Sequence, residues 1–226
     1  MRNMYINELK KILPPEAVIT DAEALRVYEC DGLSAYRQLP SCVLLPDTVE
    51  QVQDILQLCH RRKIPVVARG AGTGLSGGAL PVKEGVLLGL AKFDQILEVN
   101  PLQRIAKVQP GVVNINISDA ASVHGLYYAP DPSSQIACTI GGNVAENAGG
   151  VHCLKYGLTV HNILAMKIVT MEGDLVEIGS EALDTEGYDL LALMTGSEGM
   201  LGIIVEITVK LLPKPPFSRV LLAAFA

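Results

Sequence analysis

Pro65-Val66-Val67-Ala68-Arg69-Gly70-Ala71-Gly72-Thr73-Gly74-Leu75-Ser76-Gly77-Gly78 is a short apolar run that breaks into a loop with five glycines among nine residues. Glycine turns through positive φ without steric penalty and lets a ligand approach the main chain, so a cluster this dense presents bare N–H groups instead of side chains. Such a loop suits an anion, with phosphate the obvious guest. Gly72-Thr73-Gly74-Leu75-Ser76-Gly77 also satisfies the dinucleotide spacing G-x-G-x-x-G. The Rossmann version opens a helix directly behind the loop and places an acidic residue about 20 positions on. Here Pro81 and Gly85 forbid a long helix, an apolar strand Val86-Leu87-Leu88-Gly89-Leu90 follows, and Asp94 is read as a decoy. A P-loop needs Gly-Lys followed by Ser or Thr, and Gly77-Gly78-Ala79 supplies neither. The stretch therefore reads as a strand–loop–strand anion cradle, the plainer alternative being a set of turns.

Composition narrows the class. A chain of 226 residues is long enough to bury a proper core in one or two domains. Its 49% hydrophobic content contains no apolar run approaching the 18 or so residues of a membrane span. Met1 to Glu8 lacks the apolar core of a signal peptide, so a cytoplasmic location is expected. The five cysteines (Cys30, Cys42, Cys59, Cys138, Cys153) are odd in number and scattered, implying neither a disulfide framework nor a zinc site. His60, His124, His152 and His161 show no metal-ligand spacing with them, and no metal is expected. A net charge of −6 argues against a nucleic-acid partner, so an anion must be held by local N–H groups and one or two cations.

Along the chain, residues 1–40 read as helical and auxiliary, with Pro14-Pro15 ending one helix and Thr20-x-x-Glu23 capping a second that ends near Asp31-Gly32. Cys42 to Leu45 reads as a strand, and Thr48-x-x-Gln51 caps a helix with Val52, Ile55, Leu56 and Cys59 on one face, completing a β-α-β lobe. A hairpin over Ile96–Asn100 and Arg104–Val108 precedes a helix from about Asn114 to His124, closed by Gly125. Beyond Pro130-Asp131-Pro132-Ser133-Ser134 lies Thr139 to Gly150, a poor recipe for a packed helix because its small residues forfeit burial. A large flat ligand against the backbone would stabilise it, with Asn143 and Asn147 offering amide groups at helical spacing; a loose surface loop is the alternative. Lys155 is the nearest cation. A hairpin (Ile163–Met171, Leu175–Ile178), a short helix (Asp189–Met194), a third small-residue loop (Thr195–Gly202) and a strand from Ile203 to Leu212 ended by Pro213 follow. Ser218 to Ala226 reads as the start of another strand, whose missing partner implies that more protein follows.

Taken together, Arg69 to Gly78, Pro130 to Ser134, Thr139 to Gly150, Lys155-Tyr156-Gly157 and Gly196-Ser197-Glu198-Gly199-Met200-Leu201-Gly202-Ile203 resemble the FAD-binding domain of the FAD-linked oxidase family, of PCMH or vanillyl-alcohol-oxidase type. The likeness runs from about Leu39 to Pro213 and is greatest to its glycolate oxidase FAD subunits and D-lactate dehydrogenases. It implies an α+β fold: a small β-α-β lobe (about 42–92) and a larger mixed or antiparallel sheet lobe with flanking helices (about 93–213), making one FAD-binding domain over 39–213. Residues 1–38 then form an N-terminal helical segment, and 214–226 begin a C-terminal substrate domain. The resemblance assigns Arg69, Gly70, Ala71, Gly72, Thr73, Gly74, Leu75, Gly77 and Gly78 to the pyrophosphate. It assigns Pro130, Asp131, Ser134, Thr139, Gly141, Gly142, Asn143, Ala145, Asn147, Gly149, Gly150 and Tyr156 to the flavin and its ribityl side. Glu198, Gly199, Gly202 and Ile203 would close over other parts of FAD. Some relatives attach FAD through a histidine in the first loop; none is present here, so noncovalent FAD is implied.

The implied reaction is oxidation of a small 2-hydroxy acid by hydride transfer to FAD. No catalytic residue is assigned within this chain, since the acid-binding arginine and catalytic histidine belong to the C-terminal part; alone, the chain is expected to bind FAD and turn over poorly. Partner subunits or an electron acceptor are further expectations. A stand-alone FAD-binding module working with a partner, or another substrate on the same fold, as in the cell-wall precursor reductase, remain open.

Overall fold

The computed structural model describes residues 2–180, 187–217 and 219–225. Pro14-Pro15 follows the first helix, α1 (Arg2–Ile12), and the chain then forms a two-residue strand, β1 (Val18–Ile19), where only helix was expected. β1 pairs antiparallel with β2 (Cys42–Leu44). Because Thr20 leaves β1 directly, it is Asp21 that caps α2 (Ala22–Leu25), its Oδ1 accepting from the amides of Glu23 (3.1 Å) and Ala24 (3.0 Å). α2 is a single turn, continued as 3-10 helix only to Tyr28.

Thr48 caps α3 (Val49–Arg62) as its sequence requires, accepting the Gln51 amide at 3.2 Å, and Val52, Ile55, Leu56 and Cys59 are fully buried along one stripe. The helix closes without glycine: Lys63 takes the left-handed conformation (φ 55°) and its N–H reaches the Cys59 and His60 carbonyls. β3 (Val66–Arg69) and β4 (Val86–Gly89) then complete a sheet of order β1-β2-β4-β3, parallel except for β1. β4 is central and covered on both faces, Val86 and Leu88 joining the core under α1 and α3, Leu87 packing with Leu25 and Val43. Two-sided burial is why Val86 to Leu88 read as an unbroken apolar run. Parallel neighbours are normally joined by a helix. Here the connection, residues 70–85, contains neither helix nor strand.

The larger lobe contains β5 (Ile96–Asn100), β6 (Ile105–Val108), α4 (Asn114–Ser122), β7 (Leu126–Tyr127), α5 (Ile140–Glu146), α6 (Cys153–Tyr156), β8 (Ile163–Val169), β9 (Leu175–Gly179), α7 (Leu190–Met194) and β10 (Ile203–Lys210). Its sheet, β5-β6-β10-β8-β9, is antiparallel throughout. β10 shows both faces to core: Ile203 and Val205 join α3 and β4, while Ile204, Ile207 and Val209 pack with α4 and α5. Pro213 does not simply end this run; β11 (Leu212–Pro213) pairs with β7.

One expectation is overturned. The glycine-rich stretch after Thr139 forms a packed helix, α5, because its small residues permit close approach: the Gly141 amide reaches the Pro110 carbonyl at 2.8 Å, and a Cβ on Gly141 would stand 2.6 Å from that of Pro110. Ile140 and Val144 supply the burial the glycines lack. At the other end, residues 219–225 form no strand and are exposed, while Ser218 and Ala226, like Met1, lie outside the described residues. That segment is expected to have no partner inside this sequence, and among the described residues no strand pairs with it.

Candidate functional site

The glycine loop faces α5 and its flanks across a cleft of about 980 Å³, open solvent at its mouth included. None of the backbone N–H groups of Gly70 to Gly78 donates to another backbone group among the described residues. Such unspent donors need water or a ligand. Positive φ at Gly72 (70°) and Gly77 (82°) is what bends the loop this way.

The walls are built from elements far apart in sequence. Of the residues assigned above, Arg69, Gly70, Ala71, Gly72, Thr73, Gly74 and Gly78 line it from the first lobe; Ser134, Thr139, Gly141, Gly142, Asn143, Ala145, Glu198, Gly199 and Gly202 line it from the second. Thr139 carries the clearest unmet demand. It is 7% exposed, and its Oγ1 has no hydrogen-bond partner. A Cβ on Gly70 would collide with that oxygen, so glycine there keeps the hydroxyl and the loop together.

Side chains expected to reach a ligand are instead spent on the protein. The Arg69 guanidinium turns under the loop, donating to the carbonyls of Cys30 (2.7 Å) and Ala79 (3.5 Å) and lying 5.8 Å over the Tyr28 ring. Burial lowers its pKa from the ordinary value, with Cys30, Asp31 and Tyr28 pulling the other way. Asn143 Nδ2 donates to Asn114 Oδ1 at 2.9 Å, and Asn147, the left-handed C-cap of α5, accepts the Val160 amide at 3.1 Å. One group of each amide is thus committed inside the protein.

The cleft carries acid as well. Ser76 Oγ donates to Glu146 Oε2 at 2.7 Å, and a Cβ on Gly78 would stand 2.6 Å from Glu146 Oε1 and 3.6 Å from Glu198 Oε2. Glu146 thus borders the loop from Gly74 to Gly78, with Glu198 beside Gly78, and the Gly70–Thr73 part is left to bare N–H groups.

Leu75, Gly77, Pro130, Asp131, Asn147, Gly149, Gly150, Tyr156 and Ile203 are not among the lining residues. Leu75 is 74% exposed, Ile203 faces the first-lobe core, and the Pro130 carbonyl accepts from Asn114 Nδ2 at 3.1 Å. Asp131 binds His152, with Oδ2 to Nδ1 2.7 Å, and its backbone and carboxylate lie so close to Gly150 that no Cβ fits. A Cβ on Gly149 would meet Leu158 Cδ2 at 2.6 Å. Tyr156 meets the Tyr127 ring edge-on at 6.3 Å; hydrogen bonds from Tyr127 and then Lys155 lower its phenol pKa, whereas burial raises that of Tyr127.

Lining residues that sequence reading passed over are Ala68, Ala79, Leu90, Pro110, Pro132, Cys138, Glu146, Ala148 and Ile204. Pro132, Glu146 and Ala148 sit inside motifs already singled out, so position could have found them; Leu90 and Pro110 carry no such signal. Also passed over was Gly32, where a Cβ would stand 2.7 Å from the Gly74 carbonyl, so the N-terminal segment packs directly under the loop. No histidine lines the cleft, and among the described residues no three His, Cys, Asp or Glu could hold a metal ion.

Open N–H donors facing an orphaned buried hydroxyl suit a dinucleotide with a pyrophosphate. The family described as FAD binding domain matches residues 40–179, more than half of the chain. The chain belongs to this FAD-binding family. FAD is thus the cofactor that this FAD-binding domain takes, and the donor set just described fits it.

Among relatives of the domain, the glycolate oxidase subunit GlcD of Escherichia coli strain K12 is 62% identical over 99% of this chain and 45% of its own length. GlcD of Bacillus subtilis strain 168 is 39% identical over 96% of the chain and 47% of its own length. A D-lactate dehydrogenase of Archaeoglobus fulgidus is 39% identical over 98% and 49%. The chain spans about half the length of these curated relatives. In three dimensions, p-cresol methylhydroxylase with substrate bound superposes with a TM-score of 0.81 at 24% identity, covering 95% of this chain and 44% of that one. An alkyldihydroxyacetonephosphate synthase gives 0.83, also at 24%, over 95% and 41%. Both share this chain's α+β fold.

Proposed function

We propose that this chain is the FAD-binding part of an oxidoreductase that oxidises a 2-hydroxy acid of the glycolate or D-lactate type. The observation that carries the reading is the row of unspent N–H groups over Gly70–Gly78, opposite the unpartnered Thr139 hydroxyl, in a chain 62% identical to a glycolate oxidase subunit. FAD, when bound, supplies the hydride acceptor for the carbon that bears the substrate hydroxyl, the hydroxyl proton leaving to a base.

Roles follow from what each residue offers. Amides of Gly70 to Thr73 hold the pyrophosphate by N–H donation, without help from the inward-turned Arg69 guanidinium. Glu146 and Glu198 would repel phosphate along Gly74 to Gly78 and accept hydrogen bonds from hydroxyls there, so the sugar of the dinucleotide belongs at that end. Thr139 bonds the cofactor from the α5 side, while Asp131, Gly149, Gly150 and Tyr156 hold that wall together without touching FAD. Binding is noncovalent, since no histidine lines the cleft.

The division into an N-terminal segment (1–38), the FAD-binding domain (39–213) and a beginning substrate domain (214–226) belongs to the same proposal. Acid-binding and proton-accepting groups then lie outside this chain, consistent with relatives about twice its length. The relative's name, a subunit, favours partner subunits and an external electron acceptor, and a cytoplasmic location fits the absence, among the described residues, of any helix long and apolar enough to cross a membrane.

The test is anaerobic mixing of the full-length, FAD-loaded protein with glycolate, D-lactate and D-2-hydroxyglutarate. Bleaching of the flavin band by at least one acid is expected. A flavin that none of them reduces refutes the substrate class, and a colourless protein that takes up no FAD refutes the whole reading.

A further inference from the structure

A second depression, larger than the cofactor cleft, opens at the opposite end of α3, about 1860 Å³ against about 980 Å³ by the same measure. Its floor is apolar, from Leu25, Pro40 and Ile64, all buried. Its rim is cationic. Arg61, Arg62 and Lys63 arrive from the end of α3, and Lys83 arrives from the separate loop before β4. Cations at a helix C-terminus offset the helix dipole, which accounts for the first group. Lys83 has no such duty, yet converges on the same space.

The local charge balance runs against that of the molecule. Arg62 is neutralised by Glu8 at 2.6 Å. Arg61, Lys63 and Lys83 against Glu84 alone leave a surplus of two positive charges, in a chain whose net charge is −6. That matches the charge of a phosphate monoester, and arginine in particular holds phosphate oxygens in pairs. Two further features make this more than a solvated basic face. Glu84 (φ 68°), whose positive φ caps no helix, borders the depression, and backbone strain of this kind gathers at ligand sites. Tyr5, another wall residue, has a buried hydroxyl with no hydrogen-bond partner. Apolar floor, aromatic wall and a dianion-sized surplus of charge call for a ligand with a flat, largely apolar body and a phosphate group.

We infer that this depression is a second nucleotide site, taking a nucleoside phosphate independently of FAD. An acidic peptide would want cations spaced along a track; these converge from two segments on one cavity.

The test titrates ADP into the full-length, FAD-saturated protein by calorimetry, with adenosine, inorganic phosphate and a polyglutamate peptide as comparisons and flavin fluorescence as a monitor of the cleft. ADP is expected to bind saturably, at least about tenfold tighter than the other three, without releasing FAD. Arg61→Glu combined with Lys83→Glu should weaken ADP at least about tenfold while FAD content stays unchanged. Lys83→Gln alone, on an exposed loop, should weaken it severalfold and carries the test should the double variant not fold. Absence of ADP binding, release of FAD by ADP, equal binding of inorganic phosphate or the peptide, or variants that bind ADP as the parent does would each overturn the inference.

Discussion

Two glycine-rich stretches face each other across the cofactor cleft; both use glycine to admit close neighbours, at Gly70, Gly72 and Gly78 as at Gly141, Gly149 and Gly150, and they differ in what else glycine does there. In Gly70–Gly78 it keeps the backbone irregular: two residues take positive φ and no amide is spent on another backbone group. In Gly141–Gly150 it removes bulk: none of Gly141, Gly142, Gly149 and Gly150 has positive φ, and three of these four sites have neighbours within 2.6 Å of where a Cβ would stand. One stretch bends so that its N–H groups stay open to a ligand, and the other is held by close packing on Pro110, Asp131 and Leu158. Glycine density alone marks where backbone matters and leaves open whether the backbone meets a ligand or a neighbour.

Substitutions on the two sides should therefore fail differently. The largest effect is expected from Gly141→Val, whose side chain must displace Pro110; overpacking of this kind costs about 3 kcal/mol, so thermal unfolding should show a clear loss of stability with FAD binding lost as a consequence. Gly74→Val comes next and should separate the two properties. Its nearest neighbour is Glu146 Oε1 at 3.6 Å and its φ is not positive, so the fold tolerates the side chain, while a branched group projecting into the cleft should weaken FAD at least about tenfold in a flavin titration. If Gly74→Val melts the protein as Gly141→Val does, the contrast between the stretches is wrong. Thr139→Val tests the hydroxyl between them. Because Oγ1 bonds nothing in the protein, the variant should keep or gain thermal stability in the absence of FAD and lose about 1 kcal/mol of FAD affinity, the worth of one hydrogen bond. Smallest of all, Tyr156→Phe should change FAD affinity less than about twofold, its ring lying outside the cleft. In the parent protein a spectroscopic pH titration should show one tyrosine ionising below the usual range, and Lys155→Met should move that transition upward, since a hydrogen bond from Lys155 contributes to the shift.

The elements legible in the sequence were those whose cause is local. Thr48 and the Val52, Ile55, Leu56, Cys59 stripe specify α3; the run at Val86 specifies a strand buried on both faces; the hairpins around Pro101 and Gly173 follow from turn residues between β-prone segments. The cradle was legible too, because Pro81 and Gly85 bar the helix that would have made it a Rossmann turn. The errors have one physical origin. Thr20 looked like a cap because its neighbours permit one, yet β1 had already taken the chain into a sheet whose partner, β2, is more than twenty residues away. α5 looked unlikely to pack because its own side chains bury little, yet Pro110 waits to receive Gly141.

By itself, then, the sequence determined the β-α-β lobe, the exposed main chain of Gly70–Gly78, the lack of a histidine beside it and the family to which the whole belongs. Only the tertiary structure decided how the polar side chains around the cleft are spent. Arg69 meets Cys30 across 39 residues, Asn143 meets Asn114 across 29 and Asp131 meets His152 across 21. A hydrogen bond depends on the approach of two groups to within about 3 Å. Local periodicity sets which way a side chain points from its own element, and the packing of elements distant in sequence sets what it finds there.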